Sequence, residues 1–377
     1  MARIAVNTRL LLEGKLEGIG RFSFETLRRI TVSHPEHSFF FLFDRPFSGD
    51  FIFSDNVTPL IIGPQARHPL LFIWWFEWSL PPVLKSLNPD LFLSPDGFLS
   101  LKAPVKSLPV IHDINFHHYP KDLSKTVAAY YNHYFPRFAA KADYIATVSE
   151  FSRRDIAATY HIPEEKIGVV YNGVSEGFAP LDEASRKQVR EQYTGGVPYF
   201  FYVGSLQPRK NLAVLMKAFD RFKAQSGLDF KLILAGSKYL WDREMESVFR
   251  ASPHRQDILL PGRLPEKELH RLMASAHALT YVPKYEGFGI PVIEAMASGV
   301  PVIASEVSSI PEVSADAAML CKADDVQSIA SAMLRLASDE VFRARLIADG
   351  LQRHQRFTWN DTAHRLWQCM EKTMGIC

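Results

Sequence analysis

Cysteine is scarce in this chain of 377 residues, which contains only Cys321, Cys369 and Cys377. The number is odd and no two cysteines form a C-x-x-C pair, so the sequence argues against a disulfide framework and against a cysteine zinc site. Unpaired thiols are typical of a reducing compartment. We therefore expect a cytoplasmic protein.

A strong charge of either sign and long apolar runs are also missing. The 43 basic and 41 acidic residues leave a net charge of +2, which gives no bias towards nucleic acid as a partner. The longest uninterrupted apolar run, at 70–76, is too short to span a bilayer. The chain opens with a pattern typical of a strand rather than of a secretory signal, so we expect neither secretion nor membrane integration.

Short apolar runs alternate with helical patterns from end to end of the chain. This alternation indicates an α/β protein with parallel sheets covered on both faces. Two series of strands predict two Rossmann-like domains, and the segment 172–198 between them, rich in glycine, proline and charge, is predicted to be the linker. The candidate strands are 3–7, 38–43, 58–62, 90–94, 107–112, 144–149, 167–171, 199–205, 230–236, 257–262, 277–282, 300–305 and 317–321.

Two glutamates eight residues apart, Glu286 and Glu294, mark the most informative stretch. A buried strand is predicted at 277–283 and a helix at 291–299, so Glu286 lies at the carboxyl end of a strand, where open α/β sheets bind ligands. The intervening glycines and the first helical turn suit an anion. Phosphate would repel a lone carboxylate, so we expect both glutamates to accept hydrogen bonds from sugar or ribose hydroxyls. The combination disfavours the plainer alternative of a capping acid and a solvated acid.

These residues resemble the E-x7-E element of the GT-B glycosyltransferases, in particular the retaining family 4 (glycosyltransferase group 1), which includes bacterial mannosyl- and glucosyltransferases of polysaccharide assembly. The resemblance covers nearly the whole chain. It implies two Rossmann-like domains that face each other across a cleft, 1–180 for the acceptor and 181–356 for the nucleotide sugar. The segment 357–377 resembles the last helix of the family, which packs back onto the first domain; a plain core helix explains its pattern equally well.

A second motif supplies positive charge. At 202–212, Gly204 ends a predicted strand, and Arg209 and Lys210 precede a helix. The helix dipole disfavours cations at that position, so a bound anion would explain them better than solvation does. Arginine can bind phosphate through two parallel hydrogen bonds, and lysine adds a compact charge. The stretch resembles the glycine, basic residue, lysine-asparagine element of the family, although Ser205 stands where many members have arginine.

The resemblance also implies a reaction. A hexose, mannose or glucose, would move with retention of configuration from a GDP- or UDP-sugar to a saccharide or lipid-linked saccharide. Retaining enzymes of this fold are thought to use front-face substitution, in which the departing phosphate helps to accept the proton of the acceptor. The sequence contains no D-x-D pair, the usual ligand pair for a divalent ion on a nucleotide-sugar diphosphate. We therefore expect no metal and no cofactor.

Loops in the first half of the chain add further candidates. At 12–27, Gly18 and Gly20 could present backbone N–H groups to the donor phosphates, and the region resembles the G-I-G-R loop of the family. Ser23 occupies the place of the third glycine of a dinucleotide fingerprint, which disfavours an oxidoreductase. His112 ends a predicted strand, and the resemblance implies that it reaches the donor sugar.

Three other polar residues in this half have less specific roles. Ser149 precedes an acid and a predicted helix, so we expect it to cap that helix first and to contact the acceptor second. His117 and His118 are adjacent on a loop. Without a carboxylate or cysteine at ligand spacing, we expect them to be exposed rather than to bind metal.

The resemblance assigns the remaining roles by position. Glu294 would hold the ribose of the nucleotide, and the backbone at Arg263 and Leu264 would meet the base. The candidate catalytic residues are His112, Arg209, Lys210 and Glu286. The candidate donor-binding residues are Gly18, Gly20, Gly204, Arg263, Leu264, Gly287, Phe288, Gly289, Ile290 and Glu294. There are two alternatives: a nucleotide-sugar hydrolysing epimerase of the same fold, and a non-catalytic sugar-nucleotide-binding subunit. The intact Lys210 and both glutamates argue against a non-catalytic subunit.

One segment, 68–84, is rich in aromatic residues, including Trp74, Trp75 and Trp78. An amphipathic helix at a membrane interface would show such residues. The segment contains no lysine or arginine, however, so a buried core helix is the favoured interpretation. Peripheral contact with the inner face of the membrane stays open, because many bacterial relatives act on lipid-linked intermediates.

Overall fold

The structure is a computed structural model that describes residues 1–16 and 18–376. Cys377, counted above among the unpaired thiols, and Glu17 of the 12–27 loop lie outside the described residues, as does the side chain of Tyr239.

The chain divides into two compact domains. The first comprises Met1–Gly173 and the segment that begins at Thr358, and the second comprises Val174–Phe357. The domain boundaries thus lie after residues 173 and 357, whereas the sequence predicted them after 180 and 356. A backbone hydrogen bond from Val174 to the carbonyl of Phe357, 3.0 Å long, joins the two ends of the second domain.

The predicted linker 172–198 contains the first domain boundary, after Gly173, but it also contains a helix, Glu183–Thr194, that was not predicted. Asp182 caps this helix by accepting a hydrogen bond from the backbone N–H of Ser185, and Gly195 ends it in the left-handed conformation. Val189 is buried. The charges that suggested a linker lie on the exposed face of a short amphipathic helix.

Parallel strands form the sheets of both domains, as the alternating pattern predicts. The first domain has a five-stranded sheet in the order β3-β2-β1-β4-β5 and a separate pair, β6-β7. The second has a six-stranded sheet in the order β10-β9-β8-β11-β12-β13. The strands are β1 Arg3–Asn7, β2 Ser38–Phe43, β3 Val57–Ile61, β4 Leu91–Ser94, β5 Ser107–Pro109, β6 Ile145–Thr147, β7 Ile167–Val169, β8 Tyr199–Val203, β9 Lys231–Ala235, β10 Ile258–Gly262, β11 Ala278–Tyr281, β12 Val302–Ser305 and β13 Met319–Cys321.

Helices connect these strands, which is the arrangement that parallel pairing requires. In the first domain they are α1 Ile19–Ser33, α2 Pro69–Trp74, α3 Leu80–Leu87, α4 Asn115–His118, α5 Lys125–Lys141 and α6 Glu150–Tyr160. In the second they are α7 Glu183–Thr194, α8 Leu212–Ser226, α9 Arg243–Ala251, α10 Glu266–Ser275, α11 Ile290–Ala297, α12 Ile310–Ser314, α13 Val326–Ser338 and α14 Glu340–Arg353.

The C-terminal helix, α15 Trp359–Met374, belongs to the first domain and packs against α1. Its apolar face is buried at all the positions that the helical spacing indicated, namely Trp359, Ala363, Leu366, Trp367 and Met370. His34 stacks on Trp367 with ring centroids 3.7 Å apart. The helix therefore completes the core of a domain whose other strands and helices precede it by almost two hundred residues.

The aromatic segment of the first domain is not a uniformly buried core helix. Between α2 and α3 the chain widens into one turn of π-helix, Trp75–Ser79. Trp75 is buried and donates its indole N–H to the carbonyl of Ile62. Trp74 and Trp78, in contrast, are 58% and 63% exposed. The prediction of a buried core helix is therefore correct for one face of the segment and wrong for the other.

Among the described residues, no helix is both long and apolar enough to cross a membrane.

Candidate active site

The strand order of the second domain reverses at β8, because β9 lies on one side of β8 and β11 on the other. Such a switch point leaves a crevice at the carboxyl ends of the two central strands, where α/β proteins bind ligands. The loop after β8 carries Arg209 and Lys210, and the loop after β11 carries Glu286. The topology thus brings the two sequence motifs to one place.

Backbone and amide contacts fasten these two loops together. Pro208–Lys210 forms one 3₁₀ turn directly before α8. Asn211, in the left-handed conformation, donates its side-chain amide to the carbonyls of Val282 at 3.0 Å and Ala323 at 2.5 Å. The backbone N–H of Lys284 donates to the carbonyl of Arg209. The turn that presents the two cations is therefore held by the loop that carries the carboxylate.

The three charged side chains meet at one oxygen. Oε2 of Glu286 lies 2.5 Å from Nζ of Lys210 and 3.0 Å from Nη1 of Arg209. Arg209 also donates to the carbonyl of Tyr285, and Lys210 donates to the hydroxyl of Tyr281 at 2.9 Å. Arg209 and Lys210 are only 8% and 7% exposed, which rules out the alternative of two solvated bases at a helix start. All three residues stand at motif positions in the sequence, but their pairing was not predicted from it.

The electrostatics of the cluster favour an anion. Burial alone would raise the pKa of Glu286, but the charges of Lys210 and Arg209 and their hydrogen bonds outweigh it, so the pKa falls below its usual value. Glu286 is therefore ionised at neutral pH. Two cations against one carboxylate leave the cluster with one excess positive charge. A phosphate group brought to this edge would balance it.

The glycines after Glu286 shape the start of α11. Gly289 has φ of 95° and forms the N-cap, and a Cβ there would lie 2.6 Å from Cδ1 of Ile310. Ile290 is the first helical residue, as the sequence analysis predicted within one position. Phe288 is buried against Phe357. The backbone of Glu286 is held by Ser308 and Ser309, whose hydroxyls bond to its N–H and carbonyl.

The remaining donor-binding candidates of the second domain lie in the loops after β8, β10 and β11 and on α11, and among them Gly287 is buried. Gly204 directly follows β8, and Gly287 lies between Glu286 and α11. Glu294 is partly buried in the middle of α11. Arg263 is exposed and Leu264 partly buried in the loop between β10 and α10. Arg209, Lys210 and Glu286 thus form the compact centre of the site, and these residues flank it.

In the first domain, His112 follows β5 and packs edge-on against Phe22 of α1, with ring centroids 4.9 Å apart. Its Nε2 lies 2.9 Å from the carbonyl of Pro95, which can only accept, so Nε2 carries the proton and Nδ1 has a free lone pair. Desolvation lowers the pKa of the imidazole. His112 is therefore neutral at pH 7 and presents an acceptor.

The glycine loop of the first domain leads into α1. Gly18 is the N-cap with φ of 47°. Gly20 lies in the first turn of the helix, and a Cβ there would lie 2.7 Å from the carbonyl oxygen of Leu10. Only glycine permits this close approach of the two backbone segments.

A buried charged cluster at the carboxyl ends of β1 and β4 was missed by the sequence analysis. Asp96 binds Nη2 of Arg9 at 2.6 Å and Nδ2 of Asn7 at 2.7 Å. The guanidinium of Arg9 lies 4.8 Å from the ring centroid of Phe76. The position of Asn7 and Asp96 at or just after the ends of predicted strands was the available signal.

Ser149 is confirmed as a helix cap, since its hydroxyl accepts from the N–H of Ser152 at 3.0 Å. His117 and His118 are exposed, as expected. His118, however, lies 2.9 Å from a carboxylate oxygen of Asp155 on α6, a neighbour that sequence spacing did not show.

One group of potential metal ligands occurs among the described residues, formed by His34, Glu36 and His37. Nδ1 of His37 accepts a hydrogen bond from the backbone N–H of Ala2. The imidazole proton therefore lies on Nε2, which faces Glu36 at 3.1 Å. A metal at Nε2 would require both ring nitrogens to lack a proton, so this group does not fit a metal site.

Two family sequence models match the chain. Residues 18–177 match the model described as Glycosyltransferase Family 4, and residues 185–353 match that described as Glycosyl transferases group 1. Together they cover most of both domains.

Individual proteins agree with these matches. The O-antigen chain mannosyltransferase B of Escherichia coli is 26% identical over 365 residues, which covers 92% of this chain and 93% of the relative. Among solved structures, a sucrose-phosphate synthase from Thermosynechococcus elongatus superposes with a TM-score of 0.77 at 16% identity and full coverage of both chains. Alr3699/HepE from Anabaena, solved in complex with UDP and glucose, has a TM-score of 0.75 at 16% identity, covering 99% of this chain and 100% of that one. The latter two show a shared fold, the GT-B architecture of two Rossmann-like domains.

Proposed function

This chain belongs to the group 1 and family 4 glycosyltransferases, and from that premise we propose that it moves a hexose from a nucleotide sugar to a saccharide or lipid-linked saccharide with retention of configuration. Mannose is the sugar we propose, because the relative that matches over 92% of the chain is named a mannosyltransferase. The nucleotide would be GDP or UDP.

The observation that carries the proposal is the buried cluster of Arg209, Lys210 and Glu286 at the switch point of the second domain. Breaking the bond between a sugar and a nucleoside diphosphate places negative charge on the phosphate oxygens. Fixed cations in a water-poor site stabilise that charge without having to reorganise. Arg209 and Lys210, with backbone amides near Gly287 and Gly289, are proposed to bind the leaving diphosphate.

Glu286 then has two functions in the proposed site. It holds the two cations in place before the donor binds, and it is proposed to accept a hydrogen bond from a sugar hydroxyl. Glu294 is proposed to bind the ribose, and the backbone at Arg263 and Leu264 the base. In the first domain, neutral His112 is proposed to accept a hydrogen bond from the donor sugar, and the amides of the glycine loop to meet the donor phosphates.

Retention would follow from front-face substitution. The bond from the anomeric carbon to the diphosphate breaks, the acceptor oxygen attacks from the same face, and the departing phosphate takes the proton of the acceptor. Because Arg209 and Lys210 supply positive charge directly, this step needs no divalent ion. We therefore propose a metal-independent transferase.

We also propose that the enzyme works at the cytoplasmic face of a membrane. Leu70, Trp74 and Trp78 are all exposed and follow one another at four-residue intervals, so they share one face of the helical segment. Nζ of Lys102 lies 3.8 Å from the ring centroid of Trp78. The acid of this segment, Glu77, is buried and accepts from the N–H of Leu101. An aromatic face beside a basic residue suits an anionic lipid surface.

A panel of nucleotide sugars tests the donor assignment. The unfolding midpoint is measured with GDP-mannose, GDP-glucose, UDP-glucose and UDP-galactose, and with ATP and NAD as controls. A ligand at a hundredfold excess over its Kd stabilises the folded state by about 2.7 kcal/mol. We expect that shift for one nucleotide sugar and not for NAD. Stabilisation by none of the nucleotide sugars would contradict the proposal.

A further inference from the structure

The end of β11 carries a buried hydroxyl that the proposed mechanism has not used. Tyr281 is 1% exposed, and its hydroxyl accepts a hydrogen bond from Nζ of Lys210 at 2.9 Å. The same ammonium donates to Glu286 at 2.5 Å. Ammonium, hydroxyl and carboxylate thus form one network in the interior of the site.

The hydroxyl of Tyr281 keeps its proton and has one partner to which it can donate it. Burial, the charge of Glu286 and a hydrogen bond to Glu286 raise the pKa of Tyr281 well above its usual value of 10.0, whereas Arg209 acts in the opposite direction. The phenol therefore keeps its proton. It accepts from Lys210, so its own O–H is left to donate to Glu286. A single hydroxyl connects the two groups.

The ring of Tyr281 is held rigidly from the other side. It stacks on Tyr202 of β8, with ring centroids 6.0 Å apart and planes 15° apart. Tyr202 is equally buried, but its hydroxyl donates to the carbonyl of Ser205 at 3.0 Å rather than to the charged cluster. The titratable and charged groups that face Tyr281 are Glu286, Lys210, Arg209 and Tyr202.

We propose that Tyr281 is a positioning residue for the transfer reaction. Its hydroxyl fixes the ammonium of Lys210 at the edge of the sheet where the donor phosphates bind. A carboxylate can hold an ammonium only by cancelling its charge, whereas a neutral hydroxyl holds it and leaves the charge for the leaving group. Tyr281 also orients Glu286 through its O–H. This inference rests on the proposed function of the same cluster.

The variant Tyr281→Phe removes the hydroxyl and keeps the ring, and Tyr202→Phe is the matched control. Rates of nucleoside diphosphate release from the donor found in the panel are measured against pH. Loss of a buried hydrogen bond to a charged group is expected to lower the kcat of Tyr281→Phe roughly ten- to hundredfold. The KM for the donor should change much less.

The pH profile separates positioning from simple support of the fold. Without the hydroxyl, Glu286 loses a donor and its pKa rises. The acid limb of the kcat/KM profile of Tyr281→Phe should therefore move to higher pH, and that of Tyr202→Phe should stay where the wild type has it. An identical acid limb in both variants would overturn the proposal.

A stability measurement tests the network even if the wild type releases no nucleotide. Ionised Glu286 stabilises the folded state above its usual pKa of about 4.5, and this contribution is lost as the pH falls. The deficit of Tyr281→Phe in urea unfolding should therefore shrink between neutral pH and about pH 3.5, whereas that of Tyr202→Phe should not. An inactive wild type would contradict the proposed function alone. Equal pH dependence of the losses in unfolding free energy of Tyr281→Phe and Tyr202→Phe would contradict the role of Tyr281.

Discussion

At the scale of single residues, the site consists of two buried cations and one carboxylate that share an oxygen atom. A buried ion pair does not by itself stabilise a fold, because desolvation of the charges offsets much of their attraction. The burial of Arg209 and Lys210 beside Glu286 is therefore better explained by a ligand that completes the cluster. Removing single members should affect catalysis and binding differently.

We expect Lys210→Ala to lower turnover far more than donor affinity, because the ammonium matters most as charge develops on the phosphate. The loss of one such contact costs about a hundredfold to a thousandfold in kcat. Steady-state rates of donor cleavage measure it. Lys217→Ala, an exposed lysine of α8, is the control and should keep its rate. A Lys210→Ala rate within a few-fold of wild type would remove Lys210 from the mechanism.

A binding experiment should distinguish the roles of Glu286 and Glu294. Glu294→Gln is expected to weaken the binding of free GDP or UDP by about tenfold, the cost of one charged hydrogen bond. Glu286→Gln leaves Arg209 and Lys210 without their counter-charge, so it should keep or raise diphosphate affinity while turnover falls. Calorimetric titration of each variant with the free nucleotide distinguishes them. If Glu286→Gln loses affinity and Glu294→Gln keeps it, the two assignments are reversed.

The sequence identified Lys210, Arg209 and Glu286 because each stands at a motif position after a predicted strand. It did not reveal that they pair, since 76 residues separate Lys210 from Glu286 and only the strand order brings them together. The expectation that phosphate would repel Glu286 overlooked the adjacent cations. Tyr281 was hidden for another reason: at the end of a buried strand, a tyrosine looks like any other core residue.

At the scale of elements, the strands were the most predictable feature. All thirteen candidate runs overlap an observed strand, because a run of buried apolar residues between turn signals has few other conformations in an α/β chain. The linker prediction was wrong at 183–194, which form a helix. Charge and glycine around 172–198 concealed α7, whose single buried face gives too weak a periodic signal. The prediction of a core helix for the aromatic segment was half right, because the π-helical turn places Trp75 in the core and Trp74 and Trp78 on the surface.

That segment gives the prediction at this scale. Trp74→Ser combined with Trp78→Ser removes exposed aromatic area without disturbing the buried Trp75, so folding stability should change little. Co-sedimentation with vesicles rich in phosphatidylglycerol should fall several-fold. Val341→Ser, which removes an 83% exposed apolar side chain on α14, should bind vesicles as the wild type does. Equal sedimentation of all three proteins would refute the membrane surface.

At the scale of the whole molecule, the chain is built from two Rossmann-like domains, and the last helix returns to the first of them. The two-domain organisation was predictable from the two series of strands. Of the two boundaries, the second was predicted within one residue, at 356 rather than 357, and the first was placed seven residues too late, at 180 rather than 173. The GT-B fold and the glycosyltransferase family are confirmed by the comparisons. Donor, retention and metal independence remain proposals.

The most direct test of the central claim follows the donor and its products by proton NMR. The wild-type enzyme is incubated with the nucleotide sugar found in the panel, with and without EDTA. We predict that the nucleoside diphosphate is released, that the first sugar product has the anomeric configuration of the donor, and that EDTA changes the rate by less than about twofold. An inverted first product, or activity abolished by EDTA and restored by magnesium or manganese, would contradict the account.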